Sequence, residues 1–269
     1  MIKQKVILFS FFIIFLISCG SIKKGWDNLN VFPVEYDVEL GQQVSQDIAS
    51  KPDQFPILEA SNHRAAYQYI RKIIKKILNS GKVENKGRFE WEVKIIRDDK
   101  VLNAFATPGG HIYVYTGLIK YLDSEDQLAG VLAHEIAHAD RRHSTKQLTK
   151  ILGTQILLDI VLNSISDKKQ ATKSIGKVTT ALIGLKFSRA HETEADKFSV
   201  IYLCPTDYPA DGAAAFFEKI KNNPSPPEWI STHPSSSNRV KSIQSLKNKL
   251  GCKGTNHHRS EYQRLKKML

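Results

Sequence analysis

Apolar residues recur along this chain with two different periods, which predict short strands among longer helices. Segments 34–49 and 62–79 carry apolar residues at helical spacing. Between residues 89 and 95, apolar and polar residues alternate, as they do in a half-buried strand. Two further strands, 101–106 and 111–115, flank a Pro-Gly-Gly turn. The first half of the chain therefore predicts two helices and a small sheet.

The second half of the chain has helical periodicity almost throughout. An acidic stretch precedes an apolar stripe at 128–139, which predicts a packed helix there. Residues 163–174 are predicted to be a polar break, and residues 253–269 are polar enough to be loose. The other predicted helices are 146–162, 177–203, 211–221 and 238–250. The pattern predicts a mainly helical α+β fold, with one domain at 34–250 and a polar C-terminal tail at 251–269.

The segment His134-Glu135-Ile136-Ala137-His138 places two histidines one helical turn apart. Residues at i and i+4 share a helix face, so both imidazoles can reach one metal ion. The glutamate beside the first histidine is then placed to act on a water molecule at that metal. A surface helix with solvated histidines is the alternative interpretation. The apolar stripe of the same segment favours a packed helix whose histidines face a cleft.

A catalytic zinc ion takes three protein ligands and keeps one position open, so the chain must supply a third ligand. Glu192 is the candidate, and Asp196 lies one helical turn further along the same face. We predict that Asp196 accepts the free ring N–H of His134, although an ordinary charged helix surface is the alternative for this pair. The segment between the two motifs, 150–185, is expected either to cover the cleft or to form core helices. Four other polar residues are predicted to be structural, solvated or outward-facing: His111, His143, His191 and Glu194.

Four ordered segments make the chain similar to a known family. They are HEIAHADRRH at 134–143, SRAHETEAD at 188–196, NAFATPGGHIYVYTGL at 103–118, and STHP at 231–234 with Asn238 and Arg239 after it. This set resembles the gluzincin zinc metallopeptidases of the HtpX and CAAX-prenyl-protease type. It is closest to their soluble bacterial envelope branch, with the BepA-like and LoiP-like proteases. No tetratricopeptide repeats follow the peptidase region, so the helper domain of the BepA-like members is not expected.

The resemblance implies a gluzincin fold with one zinc ion per chain, in which Glu192 is the third ligand beside His134 and His138. It implies a zinc endopeptidase that hydrolyses unfolded or misassembled envelope proteins, with Glu135 as general base on zinc-bound water. The alternative is a non-proteolytic, zinc-containing assembly factor or chaperone for outer-membrane proteins.

Other residues are expected to surround the metal. An edge strand should border the cleft and pair with an extended substrate backbone. The residues of this strand are Asn103, Ala104, Phe105 and Ala106. His233 or Arg239 is expected to stabilise the oxyanion, and His233 can instead occupy the fourth position on zinc.

The amino terminus has the pattern of a bacterial lipoprotein signal. Two lysines precede a short apolar run, and residues 16–19 read Leu-Ile-Ser-Cys, which resembles a lipobox. We expect a signal peptide at 1–18, a lipidated Cys19 and a tether at 19–33, with an uncleaved membrane anchor as the alternative. This predicts a protein that is lipid-anchored in the envelope and faces the periplasm, at the outer membrane rather than the inner one.

Cysteine use and charge agree with that location. Beyond Cys19, the chain has Cys204 and Cys252, which can form a disulfide in an oxidising envelope or stand as separate residues. The formal net charge is +12, or +10 without the two lysines of the signal peptide. No nucleic-acid-binding motif accompanies this charge, and a basic surface suits anionic lipid or cell-wall material. The expected partners are polypeptide substrates, the membrane through its lipid anchor, and outer-membrane assembly machinery.

Overall fold

The computed structural model describes residues 30, 32–152, 168–221, 228–233 and 238–269. The predicted signal peptide, Cys19 and nearly all of the predicted tether lie outside the described residues. None of the helices in these ranges combines the length and apolar character that crossing a bilayer requires.

Helices form most of the described chain and surround a three-stranded sheet, which confirms the predicted α+β fold. The helices are α1 (Val34–Ala49), α2 (Arg64–Leu78), α3 (Thr116–Tyr121), α4 (Glu125–Asp140), α5 (His143–Leu152), α6 (Lys168–Ile183), α7 (Arg189–Leu203), α8 (Gly212–Lys221), α9 (Glu228–Thr232), α10 (Arg239–Leu250) and α11 (Arg259–Lys266). The strands are β1 (Val93–Ile96), β2 (Ala104–Ala106) and β3 (Ile112–Tyr115).

The small sheet lies against the helix that carries the HExxH motif. β3 is the central strand, parallel to β1 and antiparallel to β2. A short 3₁₀ turn at Pro108–Gly110 joins β2 to β3, and Gly109 and Gly110 have positive φ angles of 74° and 88°. Glycine has no Cβ, so it adopts this left-handed backbone without strain. β2 is an edge strand that packs beside α4, as predicted for the strand bordering the cleft.

Helix α4 is the centre of the core and is buried on nearly every side. It packs most extensively on α7, and it crosses α8 at a pair of glycines. A β-carbon at Gly130 would lie 2.1 Å from the backbone nitrogen of Ala213, and one at Gly212 would lie 2.1 Å from the carbonyl oxygen of Asp126. The two helices approach this closely because neither glycine has a side chain.

The first strand is shorter in the structure than the alternating pattern predicts. β1 begins only at Val93, and Phe89 and Trp91 precede it. Trp91 has a positive φ angle of 48°, which interrupts extended geometry. The two aromatic rings lie 5.6 Å apart and pack over Gly110 instead of continuing the sheet.

Two helical predictions in the second half of the chain are wrong. The predicted helix 177–203 is interrupted after α6, and the predicted polar break 163–174 is helical from Lys168 onward. α6 packs against α1, which favours the core-helix alternative for its own residues, whereas residues 153–167 of the predicted cover lie outside the described residues. α7 begins afresh after Ser188, whose hydroxyl accepts a hydrogen bond of 3.2 Å from the backbone N–H of His191.

The C-terminal residues 251–269 are packed on the core, so the expectation of a loose tail is wrong. Tyr262 of α11 is completely buried, and its hydroxyl donates a hydrogen bond of 2.7 Å to the carbonyl oxygen of Ile119. The carbonyl oxygen of His257 accepts a hydrogen bond of 3.1 Å from the backbone N–H of Glu125, at the start of α4. The segment therefore holds the N-terminal end of the motif helix.

A disulfide bond joins Cys204 to Cys252 in the structure, with 4.8 Å between their α-carbons. Cys204 directly follows α7, and Cys252 follows the left-handed residue Gly251 that ends α10. The bond therefore ties the helix that carries Glu192 to the start of the C-terminal segment.

Candidate metal centre

Helix α4 presents the two motif histidines and the glutamate between them to one buried point. His134 and His138 are fully buried, and Glu135 is 1% exposed. The Nε2 atoms of the two histidines lie 3.0 Å apart, as expected for residues at i and i+4 whose rings converge. The helix therefore aims two nitrogen donors at the same place.

Two more side chains complete the cluster. Glu192 of α7 places Oε1 3.4 Å from Nε2 of His138 and Oε2 3.6 Å from Nε2 of His134. His233, which follows α9, has Nδ1 3.0 Å from Oε1 of Glu192 and 3.4 Å from Nε2 of His134. One ligand atom from each of these four residues lies within 4.8 Å of the others. A buried set of two imidazoles and a carboxylate, with a third imidazole beside it, fits one zinc ion.

The electrostatics of the cluster favour a charged carboxylate between two motif histidines whose pKa values shift in opposite directions. Burial opposes ionisation of Glu192, but His233, His134 and His138 overcome it and hold its pKa well below the ordinary value. Burial also opposes protonation of His134, but Asp196 and Glu192 raise its pKa to about 9. Burial lowers the pKa of His138 well below its ordinary value. The candidate ligands are therefore a negative carboxylate and histidines in unequal surroundings.

Asp196 and Arg239 contact the residues of the cluster. Oδ1 of Asp196 lies 3.0 Å from Nδ1 of His134, the position predicted for an acceptor of that ring N–H. Arg239 donates from Nε and Nη2 to the two oxygens of Asp196, at 2.7 and 2.6 Å, and its Nη1 lies 2.9 Å from Oε2 of Glu192. Because all three nitrogens face carboxylates, these contacts hold Glu192 and Asp196 in place. The oxyanion role expected for Arg239 stays a prediction.

Three more residues lie beside the cluster: His143, predicted to be structural or solvated, Glu194, predicted to be solvated, and His191, predicted to face outward. His143 is fully buried, with Nδ1 3.0 Å from Nδ1 of His138 and Nε2 3.3 Å from Oε2 of Glu194. Contact with His143 and Arg141 lowers the pKa of Glu194 to about 2, and burial lowers the pKa of His143 to about 4. His191 is also buried and stacks on His143, with ring centroids 4.5 Å apart.

The sequence does carry a signal for His143, because it is the third histidine of HEIAHADRRH and follows His138 by five residues. The positive φ angle of Arg142, 59°, turns the chain between α4 and α5. This turn brings His143 back towards the motif, which helical spacing alone does not predict.

Two aromatic residues of the site have no sequence signal that identifies them. Trp229 donates from Nε1 to Oε1 of Glu135 at 3.2 Å and stacks on His233, with ring centroids 4.3 Å apart. Phe187 lies between α6 and α7, with its ring centroid 3.9 Å from that of His138. Both rings place apolar surface beside the cluster, and the hydrogen bond from Trp229 orients Glu135.

The strand predicted to pair with substrate lies beside the motif helix. Ala104 to Ala106 form β2, which pairs with β3 on one side and has no second partner strand among the described residues. Phe105 stacks on Tyr113 of β3, with ring centroids 4.7 Å apart. Asn103 precedes the strand and is buried. By contrast, His111 lies between two surface carboxylates, away from the cluster, as a structural residue would.

A motif helix carrying two histidine ligands, a glutamate ligand from a second helix and a small sheet beside them define a zincin-type metallopeptidase. Residues 64–247 match the model of peptidase family M48, so the chain belongs to that family. M48 peptidases are zinc-dependent, and the buried His-His-Glu-His cluster is the place where this chain can hold one ion.

Several relatives of known name are similar to the chain. The mitochondrial metalloendopeptidase OMA1 of Schizosaccharomyces pombe is 29% identical over 180 residues, which cover 65% of this chain and 51% of that protein. The beta-barrel assembly-enhancing protease of Escherichia coli is 26% identical over 194 residues, covering 68% of this chain and 39% of that protein. Human OMA1 is 27% identical over 198 residues, covering 68% and 37%. The chain thus spans about half or less of the length of these relatives.

Proposed function

We propose that the chain is a zinc-dependent endopeptidase that hydrolyses unfolded or misassembled polypeptides of the bacterial envelope. The observation that carries this proposal is the buried cluster of His134, His138 and Glu192, with Glu135 beside it. A holding protein could use a metal for structure alone, but it would not need an oriented base next to the metal. Glu135 accepts a hydrogen bond from Trp229 and does not belong to the ligand set, as a general base should.

The residues of the site have separate roles in this reaction. His134, His138 and Glu192 would hold the zinc ion. When bound, zinc supplies Lewis acidity that activates water and polarises the scissile carbonyl. Glu135 takes a proton from the attacking water at its carboxylate and delivers it to the leaving amine. Trp229 fixes the orientation of that carboxylate through its Nε1–H.

His233 has two candidate roles, and its position favours one of them. Its Nδ1 lies within the ligand cluster, 3.0 Å from Oε1 of Glu192. A side chain at that place would be a fourth ligand and would compete with a substrate carbonyl or the attacking water. We therefore propose that His233 closes the resting site and must move before hydrolysis. Its other candidate role is to stabilise the oxyanion once it has moved.

The free edge of β2 supports a substrate that is extended and unfolded. Main-chain groups on an edge strand can pair with any extended peptide, so Ala104 to Ala106 would bind backbone with little dependence on sequence. A folded protein has few segments free to pair in this way. This supports misassembled proteins as the substrate class over intact ones.

The proposed location rests on the sequence and on one group of relatives. The lipobox at Cys19 supports a lipid anchor facing the periplasm, with the outer membrane favoured over the inner one. The Escherichia coli relative named as a beta-barrel assembly-enhancing protease supports partners in outer-membrane assembly. The alternative function, a non-proteolytic assembly factor, would have the same location.

The test is hydrolysis of an unfolded, casein-like substrate by the purified chain, with and without a chelator. Glu135→Gln should keep about one zinc per chain and lower the hydrolysis rate by about 10²–10⁴-fold, because the base is lost. The matched control is Glu39→Gln, an exposed glutamate on α1, which should leave the rate unchanged. Binding of the substrate without cleavage by the zinc-loaded wild type would favour the assembly factor, and full activity in Glu135→Gln would contradict the proposal.

A further inference from the structure

The Nδ1 atoms of the two motif histidines face different kinds of side chain. Both rings direct Nε2 into the ligand cluster and Nδ1 away from it. Nδ1 of His134 faces the carboxylate of Asp196 at 3.0 Å. Nδ1 of His138 faces another imidazole, that of His143, also at 3.0 Å. The second contact joins two groups that can each be donor or acceptor, so their protonation must be coordinated.

Metal binding decides which ring donates. A neutral histidine that ligates through Nε2 keeps its proton on Nδ1, so His138 must donate from Nδ1. The acceptor at 3.0 Å is Nδ1 of His143, which must therefore carry no proton. The proton of a neutral His143 then lies on Nε2, which is 3.3 Å from Oε2 of Glu194. Each ring nitrogen of His138 and His143 therefore has one defined role, as ligand, donor or acceptor.

Further contacts hold Glu194 and His143 in place. Oε1 of Glu194 accepts a hydrogen bond of 2.9 Å from Nε of Arg141, and Arg141 also pairs with Glu84 at 2.7 Å. The ring of His143 is buried and stacks on His191 with an interplanar angle of 14°. A carboxylate held by an arginine cannot turn away from Nε2 without losing that pair.

We propose that His143 and Glu194 are positioning residues that select the metal-binding tautomer of His138. The inference rests on the proposed metal site, and it adds two residues that act through His138 instead of touching metal or substrate. A histidine kept only for packing would need neither nitrogen at hydrogen-bond distance from a polar atom. Here the ring has a ligand nitrogen on one side and a carboxylate on the other.

The experiment measures zinc affinity of the full chain by competition with a chromophoric chelator, without reference to activity. His143→Leu removes the acceptor and should weaken zinc binding by about 10–100-fold, the usual effect of losing a partner behind a ligand. His143→Asn places a carbonyl oxygen near the position of Nδ1 and should restore most of that affinity. His63→Leu, at a half-exposed histidine before α2, is the matched control and should bind zinc like the wild type.

A coupled pair of variants tests Glu194. Glu194→Gln should weaken zinc binding on its own but add little in a chain that already carries His143→Leu, because both act through one ring. Unchanged affinity in His143→Leu would mean that His143 only fills space, and equal loss in His143→Leu and His143→Asn would mean that the acceptor is not what matters; either result would overturn the proposal. If His143→Leu fails to fold, unchanged affinity in Glu194→Gln would overturn it as well. A wild-type chain that binds no zinc would instead overturn the proposed function.

Discussion

Replacing Tyr262 tests whether the C-terminal segment is part of the folded core. Tyr262→Ala removes a completely buried aromatic side chain, which typically costs about 3–5 kcal/mol, and the lost hydrogen bond to Ile119 adds about 1 kcal/mol. The sum, about 4–6 kcal/mol, is a large part of a typical unfolding free energy of about 5–15 kcal/mol. Tyr262→Phe keeps the ring and should cost only about 1–3 kcal/mol, because it leaves the Ile119 carbonyl without its donor.

The assay is thermal unfolding at a fixed zinc concentration, because bound zinc stabilises the folded state. At about 2–4 °C for each kcal/mol in a domain of this size, Tyr262→Ala should lower the Tm by roughly 8–24 °C. Gln263 is exposed on the same helix, so Gln263→Ala is the control and should change stability by less than about 0.5 kcal/mol. A loss of less than about 1 kcal/mol in Tyr262→Ala would refute the reasoning, because a loose tail would give that result.

Three other changes should have measurable effects. His233→Ala should raise the initial rate of peptide hydrolysis at saturating zinc, because it removes the group that shares the ligand cluster; a slower variant would support the oxyanion role instead. Cys252→Ser should lower the unfolding free energy by about 2–4 kcal/mol, since the disulfide spans a separation of 48 residues, and a reducing agent should shift the denaturation curve of the wild type only. Glu194→Gln should remove stability that depends on pH. Contact with His143 and Arg141 lowers the pKa of Glu194 from its ordinary 4.5 to about 2, so its contribution, at most about 3 kcal/mol, is present above about pH 4.5 and lost as the pH falls towards 2. Metal-free wild type and variant should converge in stability over that range, and a difference independent of pH would contradict this account.

The grouping of the candidate site residues could be predicted because neighbouring members lie on one helix. His134 and His138 are four residues apart, as are Glu192 and Asp196, and helical geometry alone puts each pair on one face. Oδ1 of Asp196 lies 3.0 Å from Nδ1 of His134, where the spacing predicts an acceptor. The sequence could not show that Arg239 turns its guanidinium onto two carboxylates, because that depends on how α10 packs against α7.

The predictions that were wrong concern features that depend on long-range packing or on single backbone angles. His143 reaches the site because Arg142 has a positive φ angle, which no periodicity reveals. The sequence predicts a loose C-terminal segment because α11 is mostly polar and buries only Tyr262 and Leu265. Two apolar contacts among charged residues give a weak helical pattern, although both are completely buried.

The glycine pair between α4 and α8 has a consequence for protein engineering. Replacing a glycine inside a helix by alanine normally gains about 0.5–1 kcal/mol, so a stability design would choose Gly130 early. Here a methyl group at Gly130 would wedge the helices apart, one turn before His134. The same wedge would move α8, whose Phe217 packs on Trp229 with ring centroids 5.2 Å apart. A substitution that helix propensity recommends would therefore disturb both the core and the helix that carries the candidate ligands.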